Sequence, residues 1–426
     1  MKKYSFFIAA ILSFCLLFTS CGFSGSGIES LITPPLLRED QNEIMSLLER
    51  QTGQAVVLKY PVSGNNTSPF LTSDIDKNGE DELIAFYSSV TSEKVRIAVL
   101  NREKNRWAIS STAEGNGNAV LKTDFISFKS VSVNNLAVLY SGGAEGNVLT
   151  IYDLDAGGEE ICSEITTEYE IIRLGSSIRD FIAMFQIKNE GIVKKQTVSY
   201  LTYTAEGAKI SSSVTEEVAF SSYKKITSAI MPDFSVQFFV DFQTEAGVMT
   251  EIFSLKEGKL SAFMEPSHTR AVPLYCTDID GDKVPEIPSS DETIVAAGSL
   301  SGVYPISWFG ISGETIIKES EALVNPNFGY ALIIPEKYKG KISVNTNDKG
   351  SALSVYIYTG EENDASREIF TIQAVYPTET ENLSGYTKLK ESNSVAYYGK
   401  VNNKIYDIHA ELEITYDELK SCLIIL

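Results

Sequence analysis

The feature that most limits how this chain can fold is a turn that recurs about every 50 residues. Five times, an apolar run is followed by a turn holding Asn or Gly and then by a second β-prone run. The first runs are Ile97 to Leu100, Leu149 to Leu154, Tyr200 to Tyr203, Ile252 to Leu255 and Ile306 to Phe309. Their turn residues are Asn105, Gly158, Gly207, Gly258 and Gly313, spaced 53, 49, 51 and 55 residues apart. Another apolar strand precedes each hairpin: Leu83 to Tyr87, Leu136 to Tyr140, Phe181 to Phe185, Val236 to Val240, and a weaker one near Ile294 to Ala297. Each unit has room for four strands, too few to bury both faces alone, so the units must pack on one another.

This pattern predicts a mainly β fold, a β-propeller of about five blades over residues 55–318, because radial repetition leaves only short sheet edges exposed. Val56 to Tyr60 would close the ring or begin a sixth blade, and an open pair of β-sandwiches is the competing architecture. Near Glu319 the period lapses, and Asn325-Pro326-Asn327-Phe328-Gly329-Tyr330 opens a different module. Strands are expected at Ala331 to Ile334, Lys341 to Val344, Ala352 to Tyr358, Glu368 to Tyr376, Val395 to Tyr398 and Ile405 to Ala410. A helix follows, since Thr415 and Glu418 make a capping box and Leu419, Cys422 and Leu423 share a face. Residues 319–426 therefore read as a small C-terminal α+β domain.

The other end reads as an address. Lys2 and Lys3, the apolar run from Phe6 to Phe18, and Thr19-Ser20 form the three regions of a signal peptide over residues 1–20, and the run is too short to span a bilayer. Leu17-Phe18-Thr19-Ser20-Cys21 resembles a lipobox, with Phe18 where an aliphatic residue is usual. The resemblance implies a lipoprotein with its lipid on Cys21, anchored to the cell membrane and extracytoplasmic, and diacylation gives the hold that one chain lacks. Residues 21–54 supply a Gly-Ser tether and a short helix with Ile44, Leu47 and Leu48 on one face, ending at Gly53. The formal charge of −20 becomes −22 once Lys2 and Lys3 leave. Such acidity excludes nucleic acid as a partner and favours cations.

Two segments carry recognisable chemistry. Asp74, Asp76 and Asn78 alternate, Glu80 follows two residues on, and Glu82 stands eight beyond Asp74. Asp278, Asp280, Asp282, Val284 and Glu286 repeat that spacing 204 residues later. Oxygens at positions one, three and five converge when a chain wraps, position seven offers its carbonyl, and position nine closes the shell. Such hard donors suit calcium better than magnesium or zinc. Position twelve, glutamate in an EF-hand, is Ala85 in one loop and Ser289 in the other, and a dockerin pair would lie closer together in sequence.

The loops resemble the calcium loops of FG-GAP and VCBS-type propeller repeats, which sit between the first two strands of a blade. Lys283 stands where glycine is usual, Pro285 precedes Glu286, and the middle units lack the pattern, as at Val131-Ser132-Val133. Val57-Leu58-Lys59-Tyr60-Pro61, Glu80-Asp81-Glu82-Leu83, Phe328-Gly329-Tyr330 and Ile334-Pro335-Glu336 are similar to a group of VCBS-like lipoproteins from Gram-positive gut bacteria. That group implies architecture and no activity.

Signatures of catalysis are missing. His268 and His409 fall in different domains, and the chain has no Gly-x-Ser-x-Gly elbow, Walker loop, dinucleotide fingerprint or His-Glu-x-x-His. Trp107 and Trp308 read as blade packing. Cys162, Cys276 and Cys422 are an odd set at wide spacing, without a readable disulfide framework or zinc site. The expectation is a lipid-anchored calcium-binding propeller acting as a non-catalytic binding or scaffolding protein towards an extracellular protein or glycan. The alternative is an extracellular hydrolase or lyase on glycans, since paired carboxylates need no local motif.

Overall fold

The computed structural model describes residues 38–426 apart from 105, 143–145, 291–295, 298–299, 314, 359–366, 378–382 and 403–409. The expected leader, Cys21, the tether, Asn105 and His409 lie outside the described residues, as does nearly all of the strand expected at Ile405 to Ala410.

Helix α1 spans Arg38–Thr52. Ile44 and Leu48, one turn apart, are both fully buried and pack with Val56, Phe70 and Leu83. Gly53 then takes φ 71° and its N–H reaches Glu49 O at 2.9 Å, the left-handed ending that glycine adopts most cheaply.

Strands β1 (Val56–Leu58) and β2 (Phe70–Ser73) lie in line along β3 (Glu82–Ser89), β1 against residues 87–89 and β2 against residues 82–85. Strands β4 (Ser92–Glu103) and β5 (Arg106–Glu114) complete this first sheet, so Val56 to Leu58 belongs to it and does not begin another. Three four-stranded sheets follow, each in sequence order. The second holds β6 (Val120–Ile126), β7 (Asn135–Tyr140), β8 (Asn147–Asp153) and β9 (Glu159–Thr166). The third holds β10 (Glu168–Ile172), β11 (Phe181–Glu190), β12 (Val193–Thr204) and β13 (Gly207–Val218). The fourth holds β14 (Tyr223–Ile230), β15 (Val236–Thr244), β16 (Gly247–Lys256) and β17 (Lys259–Arg270).

The four apolar runs that precede the hairpins, in β3, β7, β11 and β15, are buried along their whole length. A strand covered on both faces needs no polar alternation, which is why these runs are so plain in the sequence. Gly158, Gly207, Gly258 and Gly313 all take left-handed φ, from 63° to 108°, at the turns where they were expected.

The fifth sheet departs from expectation. It contains β18 (Ile287–Ser290), whereas β19 (Ala296–Ala297) pairs in parallel with residues 343–344 of the terminal sheet, so the strand expected near Ile294 to Ala297 is supplied by β18. Next come β20 (Tyr304–Ser312), β21 (Thr315–Asn325) and β22 (Tyr330–Ile333). Glu319, the expected start of the C-terminal domain, lies within β21, and β22 continues the same sheet. The terminal sheet adds β23 (Ile342–Thr346), β24 (Ala352–Ile357), β25 (Glu368–Val375), β26 (Thr387–Glu391) and β27 (Ala396–Val401) to β19. Helix α2 (Tyr416–Cys422) has the predicted capping box on Thr415 and Glu418. Strand β28 (Leu423–Ile425) then returns to the outer edge of β22, so the end of the chain finishes the fifth sheet.

The chain divides into two compact units. One gathers the described residues up to Phe125 with Leu136–Gly142 and Thr150–Glu160, and the other holds Ile126–Asn135, Gly143–Leu149 and Ile161–Leu426. In the first, Leu71, Ile75, Phe86 and Tyr140 share a core. In the second, separate cores lie under the third and fourth sheets, around Trp308, and under the terminal sheet.

Candidate metal centres

The two carboxylate loops, 204 residues apart, fold alike. Each begins from one antiparallel pairing, Ser73 with Glu82 and Thr277 with Glu286. The isoleucine at position two is buried in the core in both, Ile75 at 2% and Ile279 at 8% exposure, and it pins the loop to the sheet. Its N–H donates to the carboxylate at position nine, Ile75 to Glu82 Oε2 at 2.9 Å and Ile279 to Glu286 Oε2 at 2.7 Å. Position one accepts from two backbone N–H groups: Asp74 from Asn78 and Gly79, both at 2.9 Å, and Asp278 from Gly281 at 2.7 Å and Lys283 at 3.0 Å.

Positions three and five each close a local turn of the kind Asp and Asn favour. Asn78 N–H donates to Asp76 and Asp282 N–H to Asp280, both at 3.0 Å. Glu80 N–H donates to Asn78 Oδ1 and Val284 N–H to Asp282 Oδ1, both at 2.7 Å. Two positions in each loop take left-handed φ: Lys77 at 57° and Gly79 at 95°, Gly281 at 90° and Lys283 at 77°. Glycine and lysine have traded places between the loops, and the backbone path is unchanged.

Side-chain oxygens of Asp74, Asp76 and Glu82 lie within 4.8 Å of one another, as do those of Asp278, Asp280, Asp282 and Glu286. Glu80 and Val284 sit at position seven, where a carbonyl is the donor on offer. Burial raises the pKa of Glu82, with Asp76 and Asp74 adding to the shift. Glu286 is pushed up to about 7, by burial first and then by Asp280, Glu319 and Asp282, while the Ile279 N–H opposes the rise. The donor set is all oxygen and crowded with negative charge, so a hard divalent cation fits it chemically.

Glu319 was not foreseen as a neighbour of this site. In β20 and β21 the register slips between Trp308 and Phe309, leaving Glu319 as the extra residue of a β-bulge. Bulges re-aim side chains. Glu319 lies over Gly310, where an added Cβ would run into its carboxylate, and desolvation raises its pKa, with Asp280 and Asp282 adding to the rise. The same slip recurs in other sheets and places Ser110, Ser211 and Phe263 at the bulge. In the first sheet, the bulged Ser110 lines a pocket of about 140 Å³ with Asp76, Glu82, Asn101 and Asp155. Asp155 is thus a further carboxylate beside the first loop.

The second loop is held from beneath by a fully buried ion pair. Arg270 donates to Asp241 at 2.6 Å, to Leu274 O at 2.7 Å and to Thr250 Oγ1 at 2.8 Å. The other oxygen of Asp241 accepts from Cys276 N–H at 2.8 Å, which fixes the residue two before Asp278. Burial raises the Cys276 thiol well above its ordinary pKa, so it is an inert packing group. Among the described residues, none of Cys162, Cys276 and Cys422 forms a disulfide.

The remaining candidates pack. His268 packs against Phe309 with ring centroids 4.5 Å apart and the planes tilted by 50°. Trp308 is fully buried, and Trp107 lies under the Arg102 guanidinium at 4.9 Å.

No protein-family model matches the chain, and no curated protein matches it. Among solved structures the chain is similar to a mutant of Aleuria aurantia lectin in complex with alpha-methyl-L-fucoside, at 12% identity and TM-score 0.28, over 75% of this chain and 90% of that one. It is similar to the Dos1 propeller at 10% identity and TM-score 0.28, over 71% and 79%. A third likeness is the β-propeller domain of the Trilobed protease from Pyrococcus furiosus, at 11% identity and TM-score 0.28, over 78% and 92%. At such identities and TM-scores the class rests on the chain's own succession of sequential antiparallel sheets. The protein is mainly β and of β-propeller type.

Proposed function

We propose that this is a calcium-stiffened propeller that serves as a non-catalytic binding or scaffolding protein, held outside a membrane by lipid on Cys21. The observation that carries the metal reading is the matched fold of two loops with different sequences, each turning an oxygen-rich set inward. Both follow the FG-GAP and VCBS spacing. A cation there would tie Asp74 or Asp278 to the glutamate at the start of the next strand, stiffening the sheet edge without taking part in chemistry. The leader pattern ending at Cys21 supports the anchor, and the propeller-type fold supports a binding role.

Calcium at a hundred times its dissociation constant stabilises a one-site protein by about 2.7 kcal/mol. Addition of calcium to the processed protein is therefore expected to raise its melting temperature, and the double variant Asp74→Ala, Asp278→Ala is expected to lose that response. An unchanged melting temperature in the unsubstituted protein would reject the metal. For the anchor, Cys21→Ala should move the protein from the detergent phase to the aqueous phase, and unchanged partitioning would count against lipidation.

A further inference from the structure

The first and fifth sheets correspond residue for residue in the hairpin that follows each carboxylate loop. The register slips by one residue in both, at Ser110 in the first sheet and at Glu319 in the fifth. On the turn side of the slip the second pair is Asn101 with Ala108 in one sheet and Gly310 with Ile317 in the other. Asn101 thus matches Gly310, and Ser110 matches Glu319.

The two positions change together. In the first sheet Ser110 Oγ lies 3.1 Å from Asn101 Oδ1, and both residues border the pocket of about 140 Å³ that Asp76 and Glu82 also line. In the fifth sheet glycine leaves the space that the Glu319 carboxylate fills, and a side chain at 310 would collide with it. By this correspondence, the place that is a pocket beside the first loop holds a carboxylate beside the second.

That carboxylate makes no hydrogen bond or ion pair among the described residues, and the neighbouring Lys318 pairs with Glu321 at 2.5 Å. Its charge acts on Glu286 more strongly than that of Asp282, a member of the cluster of four. Glu286 is 2% exposed, and among the described residues its side chain accepts one hydrogen bond, from Ile279 to Oε2. A buried carboxylate with an unmatched oxygen beside a second, unpartnered carboxylate is costly unless a cation joins them.

We infer that Glu319 is a fifth carboxylate ligand of the cation in the second loop, taking the part that glutamate at position twelve plays in an EF-hand and that Ser289 cannot play. This rests on the calcium reading of the loop and adds selectivity to it. Glu319 is not among the four carboxylates whose oxygens already lie within 4.8 Å of one another. With no partner to hold it, it swings in once the ion cancels their repulsion. Calcium accepts roughly six to eight oxygens, whereas magnesium demands near-ideal octahedral geometry and keeps several waters. A carboxylate supplied from outside the loop therefore favours calcium, and the first loop, with Ser110 at that place, discriminates less.

The test uses the processed protein with Asp74→Ala, which leaves the second loop as the intact one. Calcium and magnesium are titrated by calorimetry with and without Glu319→Gln, and the luminescence lifetimes of bound europium in light and heavy water count the waters on the ion. Glu319→Gln should weaken calcium binding about tenfold or more, leave magnesium binding nearly unchanged and add water to the ion's shell. Glu321→Gln, which removes an equal charge from the same strand, should leave the water count as it was. Unchanged calcium affinity and water count in Glu319→Gln, or an equal effect of Glu321→Gln, would overturn the inference while calcium stays in the loop. Loss of binding in Asp74→Ala alone would overturn it too, and no binding in the unsubstituted protein would reject the calcium reading itself.

Discussion

The loops at residues 74–82 and 278–286 have one backbone and two charge patterns. The first has Asn78 at position five and a serine at the neighbouring bulge, whereas the second has Asp282 there and Glu319 at the bulge. Hydrogen bonds from backbone N–H groups to positions one, three, five and nine set the path, and at position five the Oδ1 of either Asn78 or Asp282 accepts equally, so charge there and at the bulge can differ. The second loop accordingly gathers four carboxylates in its donor cluster against three in the first, and it rests on the buried Asp241–Arg270 pair. The comparison predicts that the second loop binds a divalent cation more tightly and depends more on what lies beneath it.

The largest expected effect comes from breaking that support. Arg270→Met leaves Asp241 buried without its counter-charge, and loss of one partner of a buried pair costs about 3–5 kcal/mol. Urea unfolding should show a loss of that size, with the second loop's cation affinity falling and the first loop's holding. An equal loss at both loops would break the proposed difference between them.

A second prediction separates carboxylates that hold a proton from those proposed to hold a cation. Glu251 is buried, accepts from Gln196 at 2.6 Å, and is pushed up to about 8 by burial and then by Glu216. The folded state keeps this proton up to about pH 8, while the unfolded chain releases it at its ordinary value of 4.5. Stability must therefore fall as pH rises across that window and level off above it. Glu251→Gln should flatten this decline by an amount that calcium does not change. A melting-temperature series against pH in chelator checks it, and an undiminished slope in the variant would contradict the assignment.

The smallest effects probe the exchange of glycine and lysine. Lys283→Gly should stabilise the second loop by about 1 kcal/mol, and Gly79→Ala should destabilise the first by about the same. A Cβ at Gly79 meets nothing within 4 Å, so its cost would be conformational and not a clash. Opposite shifts in melting temperature are the expected result, and shifts of the same sign would show that the two loops do not share one path.

Much of this was legible from local pattern. The turn glycines, the apolar runs buried on both faces, the α2 capping box and the spacing of both loops are each set by residues close in sequence. What escaped depended on pairing between distant segments. Glu319 becomes a neighbour of Asp280 and Asp282 only through a slip in strand register. The fifth sheet runs past residue 319 because β22 continues it and β28 returns to its edge after most of the terminal module, and no periodicity marks such a return. Asp241 and Arg270 read as ordinary charges in two separate strands until the fold removes both from water.

Whether the two loops hold calcium is decided by calorimetric calcium titration of the processed protein, of Asp74→Ala, of Asp278→Ala and of the double variant. Two sites are expected in the unsubstituted protein, one in each single variant with the tighter site lost in Asp278→Ala, and none in the double variant. Absence of binding heat together with an unchanged melting temperature in the unsubstituted protein, or full binding in the double variant, would contradict that expectation.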